Sequence, residues 1–258
     1  MKQTAWRAFA TARKAYKASV EELRRVLPDL QRIQQALVDS RSGPAYVVET
    51  PIVYNEALDD VGPKDEIKLI LVADNPGRRE QAAENRRYLV GPSGKIAERF
   101  FYSNPGLGID FRKNAIILNK TPIHTPRTAE LKELYRLGGS SVEEAAVESQ
   151  RIMARLLADF HRALTPAPVW IIGYSEMKRG GIFGIYTETV QELYDPRKRQ
   201  NEETAARRRD LRNELFLYRH FSMNQFTIDL RQQVREGESP EDALRRIGAS
   251  YRKRILNF

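Results

Sequence analysis

The amino-acid sequence predicts an α/β protein: a three-layer α/β/α sandwich around a central four-stranded, mainly parallel sheet, with an N-terminal helical extension. Four short runs rich in Ile, Leu and Val predict the strands, at 67–73, 114–119, 168–173 and 214–220. The first three runs are almost continuously apolar, as expected of strands that are buried on both faces. Helical patterns alternate with the runs, at 92–103, at 141–164 and, in a shorter form, around 175–181. This alternation is typical of a parallel sheet covered by helices on both sides.

Apolar residues at helical spacing also predict elements outside the sheet. Residues 4–39 should form two helices, broken at Pro28, that pack on the domain or on a partner. Ser239 should cap a final basic amphipathic helix. The charged segment 195–213 is expected to be a solvated helix or a mobile loop, with a nucleic-acid contact as the alternative. The predicted organisation is a helical extension over 1–60, an α/β/α domain over 61–238 and a C-terminal helix over 239–258.

Composition limits the classes of function. The 258 residues include 43 Lys and Arg against 34 Asp and Glu, a net charge of +9 that suits a polyanionic partner such as DNA. The absence of cysteine excludes disulfides, thiolate metal sites and cysteine nucleophiles. With only three histidines, no metal or other cofactor is expected. No apolar run reaches the roughly 18 residues of a membrane span, so a soluble, cytoplasmic protein is expected.

Polar residues follow the predicted strands at their C-terminal ends, where parallel sheets bind ligands. Asp74 and Asn75 follow the first strand, Asn119 ends the second, and His220 and Ser222 follow the fourth. The tetrapeptide that begins at Asp74 is equally well explained as a turn, because Asp, Asn, Pro and Gly are common turn residues. An amide and an imidazole at one sheet edge are suited to hydrogen-bonding a planar heterocycle or a departing anion.

Four of these segments, taken in order, resemble motifs of the uracil-DNA glycosylase superfamily. Ala73-Asp74-Asn75-Pro76-Gly77 is similar to the family's Gly-x-Asn-Pro-Gly motif at the end of the first strand. The phrase "RRYLVGPSGK" at 86–95 resembles Pro-Phe-Val-Gly-x-x-Gly, in which the aromatic residue stacks on the flipped base. Asn119 matches the family's strand-ending asparagine, and the segment 220–224, "HFSMN", resembles its His-Pro-Ser motif.

The resemblance implies a cofactor-free hydrolase of the N-glycosidic bond of uracil, or of a related deaminated base, flipped out of DNA. The cysteine-free sequence would place it in the branch without an iron–sulfur cluster. Asn75 would position water, Asp74 would supply charge beside it, and His220 would stabilise the departing anion. Tyr88 would stack on the base and Asn119 would read its edge. The implied DNA contacts are Ser222, Met223, Gly91, Ser93 and Lys95.

Two other functions stay open at this point. Phe221 stands where the family's last motif has proline, and Ala73 replaces the first glycine of the opening motif. The missing proline and the unusual Asp74-Asn75 pair favour a non-catalytic relative that binds nucleic acid with the same basic face. The helix start in "VGPSGK" also fits an α/β enzyme acting on a small nucleotide or another phosphorylated ligand, because helix N-termini bind anions. Core packing is an ordinary alternative role for Tyr88 and His220, and loop capping is one for Asn119.

Overall fold

The computed structural model describes residues 1–41, 43–198 and 202–258 of the chain. Within these residues the sheet contains β1 (Leu69–Ala73), β2 (Ala115–Asn119), β3 (Val169–Ile172) and β4 (Leu215–Tyr218). The helices are α1 (Gln3–Val26), α2 (Leu30–Asp39), α3 (Arg78–Gln81), α4 (Pro92–Tyr102), α5 (Glu130–Leu164), α6 (Gly184–Tyr194), α7 (Glu202–Asn213), α8 (Gln225–Gln233) and α9 (Pro240–Leu256).

The sheet confirms the predicted fold class. Its strand order is β2-β1-β3-β4 and each neighbouring pair is parallel. Ala73 pairs with Asn119 and Ile172 pairs with Tyr218, so the strands end nearly level with one another. The residues that follow all four strands therefore meet along one edge of the sheet, where ligands bind in folds of this type.

Helices cover both faces of the sheet and complete the three layers. Ile70, Val72 and Ile171 face a core built with α1, α5 and α6. Trp170 faces the opposite core, which is rich in aromatic side chains from α4 and α8. The residues of β1 and β3 are all apolar and buried, and each fully buried Ile, Leu or Val contributes about 1.5–3 kcal/mol to folding. Both sheet faces are thus closed, and the edge at the strand ends is left for a binding site.

Several element boundaries differ from those predicted. Helix α5 begins at Glu130, well before the expected start near residue 140, and it bends at Gly139, where φ is 69°. Helix α6 was not predicted from the sequence. A 3-10 turn, Tyr174–Met177, occupies the position of the short helix expected after β3. Helix α7 accounts for part of the charged segment 195–213, and residues 199–201 of that segment lie outside the described residues.

The N-terminal helices pack on the domain, which is one of the two arrangements that the sequence predicted. Helix α1 lies along α5, and its buried side chains belong to the same core as β1 and β3. The Tyr16 hydroxyl hydrogen-bonds the Tyr88 hydroxyl at 2.5 Å, and Tyr88 donates to the Val53 carbonyl at 2.6 Å. Helix α1 therefore supports the loop that precedes α4. Among the described helices, none combines the length and apolar character needed to cross a membrane.

Candidate functional site

A cavity of about 620 Å³ opens at the carboxyl ends of β1, β3 and β4. Its volume lies within the range of roughly 300–1,000 Å³ that is usual for small-molecule sites. We call it the strand-end cavity. Of the residues predicted from sequence, its walls include Asp74, Asn75, Gly91, Ser93, His220 and Ser222. The structure thus brings together side chains that are up to about 150 positions apart in the chain, as the parallel sheet required.

Asp74 is held at the cavity wall by a buried ion pair. Its Oδ1 accepts a hydrogen bond from the Lys120 Nζ at 2.5 Å, and its Oδ2 accepts one from the Thr128 hydroxyl at 3.2 Å. Lys120 is 0% exposed and also donates to the Ile172 carbonyl at 2.6 Å. Burial lowers the pKa of Lys120, and the neighbouring Asp74 carboxylate opposes that shift. A Cβ atom at Gly173 would lie 2.5 Å from Asp74 Oδ1, so glycine is required there.

The amide of Asn75 has a fixed orientation. Its Nδ2 donates to the Thr125 hydroxyl at 2.9 Å and to the Thr125 carbonyl at 3.2 Å. His124 supports the same turn from behind, because its Nδ1 bonds the Pro76 carbonyl at 2.8 Å and its Nε2 bonds the Tyr46 hydroxyl at 2.9 Å. Burial lowers the pKa of His124 to about 4, so the imidazole is neutral at pH 7. Both Asp74 and Asn75 line the cavity.

His220 enters the cavity as a neutral imidazole. The Ser222 backbone N–H donates to its Nδ1 at 3.0 Å, so Nδ1 is unprotonated and Nε2 carries the hydrogen. Burial lowers the pKa of His220; Lys120 shifts it in the same direction, and Asp74 opposes both. The imidazole is therefore a hydrogen-bond donor through Nε2 at neutral pH. A neutral donor of this kind can stabilise negative charge that develops on a departing group.

The N-terminus of α4 forms the opposite wall of the cavity. Gly91 is its N-cap residue and contributes no side-chain cap, so the first backbone N–H groups of the helix are open to a ligand. The exposed side chains of Arg78 and Arg127 add positive charge at the rim. Lys95 is not part of this cavity and instead lines a second one beside β2. The wall and the rim are suited to an anionic ligand such as a phosphate.

Besides Glu176, sequence reasoning missed a second carboxylate in the cavity, that of Glu80. Its side chain is 7% exposed and accepts hydrogen bonds from the backbone N–H of Gly77 at 3.0 Å and of Leu89 at 2.8 Å. Burial raises the pKa of Glu80 to about 7, and the two backbone donors oppose that shift. The sequence signal was a glutamate three residues after Gly77, a spacing typical of a helix N-terminus. Glu80 therefore links the turn at Gly77 to the loop before α4 through hydrogen bonds.

The structure corrects the stacking role that was predicted for Tyr88. Tyr88 is 1% exposed, its hydroxyl is bonded within the core, and it does not line the strand-end cavity. The residue directly before Val90-Gly91 is Leu89, and Leu89 does line the cavity. The shift of one position follows from the backbone, since Leu89 has φ of 52°. No Phe, Tyr or Trp side chain contributes to the cavity wall among the described residues.

Asn119 and Met223 occupy the surroundings of the cavity rather than its wall. Asn119 pairs with Ala73 in the sheet and is 1% exposed. Neither polar atom of its amide has a hydrogen-bond partner within the described residues. An unsatisfied buried polar group costs about 1–3 kcal/mol, so this amide has a physical reason to accept a ligand. Met223 is 83% exposed and has φ of 53°, next to Ser222 at the rim.

No protein-family model matches the chain, and no curated protein matches it at a significant level. Within residues 1–41, 43–198 and 202–258, no group of three or more His, Asp or Glu side chains is arranged to hold a metal ion. The site is therefore interpreted from its own geometry.

Proposed function

We propose that the protein is a DNA glycosylase that hydrolyses the N-glycosidic bond of uracil, or of a related deaminated base, flipped out of DNA. The observation that carries this proposal is the neutral His220, whose Nε2–H has no hydrogen-bond partner within the described residues, in one cavity with Asp74 and Asn75. The sequence resemblance to the uracil-DNA glycosylase superfamily supports the same reaction. An enzyme of this kind removes a base from the stack and binds it in a pocket before cleavage.

The cavity residues have matching chemical roles in the proposed reaction. As the bond between the sugar C1′ and the base nitrogen breaks, its electron pair leaves with the base, and His220 Nε2–H hydrogen-bonds the resulting anion. The Asp74 carboxylate, which lines the cavity, stabilises the positive charge that develops on the sugar in the proposed reaction. Within the described residues, the hydrogen bonds of the Asn75 side chain are donated by Nδ2, which leaves Oδ1 to accept one from the attacking water. The water oxygen then bonds to C1′ and loses a proton, which neutralises the base anion, so the products are the free base and an abasic sugar.

The charge of the cavity suits a nucleotide in a polymer. Arg78, Arg79 and Arg127 surround the opening, and the amides at the start of α4 face it. Phosphate contacts from Arg and helix N-termini fix the position of a nucleic acid without reading its sequence. Asn119 lies one strand away from the cavity wall, and within the described residues neither the donor nor the acceptor of its amide has a partner. In the proposed complex both bond the edge of the base, which displaces the residues that cover Asn119.

A second candidate function is nucleic-acid binding without cleavage. It is favoured by the lack of a Phe, Tyr or Trp side chain in the described part of the cavity wall and by the burial of Asn119 behind it. Base stacking on an aromatic side chain is worth about 1–3 kcal/mol, and this cavity does not provide it. A protein that binds only the DNA backbone has no need of that contact.

A single-turnover assay separates the two candidates. Uracil-containing single-stranded and double-stranded oligonucleotides are incubated with excess protein and treated with alkali, which breaks the strand at abasic sites. The glycosylase proposal requires strand breaks that depend on uracil and that His220→Gln slows strongly. Binding without strand breaks supports the second candidate. Tight binding of a free mononucleotide with no binding of DNA contradicts both.

A further inference from the structure

A second cavity adjoins the strand-end cavity and continues its arginine-rich rim. It has a volume of about 380 Å³, and Arg78, Pro126 and Arg127 line both cavities. Its other walls come from the end of α2 and the segment that follows, including Arg41 and Tyr46. We call it the flanking cavity. Because the two cavities share three lining residues, they lie next to each other at this end of the sheet.

Tyr46 supplies the aromatic surface that the strand-end cavity does not have. The Arg78 guanidinium lies over its ring, 4.9 Å from the ring centre. The Tyr46 hydroxyl bonds His124 Nε2 at 2.9 Å, and the two rings meet edge to face with centres 5.9 Å apart. These contacts fix the ring before any ligand arrives, which reduces the entropy lost on binding. Aromatic rings and guanidinium planes are the surfaces on which unpaired bases stack.

The charges of the flanking cavity favour an anion beside that planar surface. Its lining includes the side chains of Arg41, Arg78 and Arg127, against a single carboxylate, Glu130. Glu130 forms an ion pair with Arg41, and its Oε1 lies 4.0 Å from Arg127. The Arg127 side chain is 86% exposed, so it can reach a phosphate without losing a buried contact. A planar stacking surface next to excess positive charge fits one nucleotide unit, with its base and its phosphate.

We propose that the flanking cavity binds the nucleotide next to the one held in the strand-end cavity, with its base unpaired and stacked at Tyr46. The preferred ligand is then single-stranded DNA, because a base paired in a duplex has no free face to place there. This inference rests on the proposed function only for the identity of the nucleotide in the strand-end cavity. Binding to the flanking cavity is measurable whether or not the protein cleaves DNA.

Fluorescence anisotropy with unmodified oligothymidylates of increasing length tests the inference on the full chain. Tyr46→Ala should weaken binding of the longer single strands about five- to hundredfold, the effect of losing one stacked base. Binding of a duplex should not change, because its bases have no free face to stack at Tyr46. Tyr46→Phe, which keeps the ring and loses the bond to His124, should bind like the wild type. Tyr102→Ala removes a tyrosine that is 87% exposed at the end of α4, and serves as the matched control.

A charge variant tests the rim that the two cavities share, without disturbing their packing. Arg127→Gln should lower the dependence of log affinity on log salt by about one phosphate contact for single strands. Arg25→Gln, at an arginine that is 73% exposed on α1, is the control. Equal affinities of Tyr46→Ala and wild type for every length would overturn the inference. Equal losses in Tyr46→Phe and Tyr46→Ala would also overturn it, since Tyr46 would then act by supporting His124. A loss of strand binding with no cleavage by the wild type would leave the inference standing and refute the glycosylase.

Discussion

We expect the ion pair between Lys120 and Asp74 to stabilise the folded protein only while both charges are present. Lys120→Met removes a charge that is 0% exposed, lies 2.5 Å from Asp74 Oδ1 and faces the Phe183 ring at 5.0 Å. Removing one partner of a buried pair costs about 3–5 kcal/mol of unfolding free energy. Asp74 keeps the Thr128 hydrogen bond and is 13% exposed to the cavity, so we expect a loss near the lower end, about 3 kcal/mol.

A double-mutant cycle tests this reasoning. Asp74→Asn leaves Lys120 with the Ile172 carbonyl and a neutral oxygen, and should cost less than Lys120→Met. In the double variant neither charge is left unpaired, so its loss should be smaller than the sum of the single losses by about 1–3 kcal/mol. Urea unfolding followed by far-UV circular dichroism gives the three values, provided that the slope against urea stays constant.

An exposed pair serves as the control for the cycle. The Lys17 Nζ lies 2.7 Å from Asp59 Oδ2, and the two side chains are 50% and 35% exposed. Lys17→Met should therefore cost no more than about 1 kcal/mol, because water screens this pair. Additive losses at Lys120 and Asp74, with a coupling below about 0.5 kcal/mol, would refute the interpretation that the buried charges stabilise each other.

Three further predictions concern the cavity and its support. If cleavage is observed, its rate should stay constant as the pH falls to about 6.5, the ordinary pKa of histidine, because burial lowers the pKa of His220; a rate that halves near or above that pH would count against a neutral donor. The pKa of His124 is lowered to about 4 in the folded protein, so its contribution to stability is complete above about pH 6.5 and is lost as the pH falls toward 4, by about 3 kcal/mol; because burial lowers the pKa of His161 in the same way, His124→Gln should remove only part of the pH dependence in urea unfolding at several pH values. Gly173→Ala should displace Asp74 and abolish cleavage, while Gly180→Ala, with a similar φ of 78° and no atom within 4 Å of the new Cβ, should only lower stability; equal activity of the two variants would contradict the role of the close contact.

The fold was predictable from sequence because burial on both faces leaves a simple signal. The first three strands are short, nearly unbroken runs of Ile, Leu and Val, and the helices between them keep their apolar spacing. Boundaries were harder where a glycine permits a bend. The predicted helix began only after Gly139, where φ is positive and the helical conformation of α5 is interrupted, so the helical segment from Glu130 to that glycine was missed.

The candidate site was predictable in part, for a physical reason. Residues immediately after a strand, such as Asp74, Asn75 and His220, are positioned by the sheet, and they reach the cavity as expected. Tyr88 lies in a loop with positive φ at Arg86 and Leu89, and the sequence pattern does not reveal such local backbone turns, which decide whether Tyr88 or Leu89 faces the cavity. Lys120 follows Asn119 directly in the sequence, yet its pairing with Asp74 depends on the register between β1 and β2.

The hydrogen bond between Tyr16 and Tyr88 makes the first helix relevant to any attempt to redesign the protein. Helix α1 and the loop before α4 are far apart in sequence, and their hydroxyl groups meet 2.5 Å apart in the core. Engineering that shortens the chain to a minimal α/β unit would delete one member of this contact and leave the Tyr88 hydroxyl with the Val53 carbonyl alone. The smallest useful version of this protein therefore retains α1, and libraries that vary the cavity should treat Tyr16 as part of the scaffold.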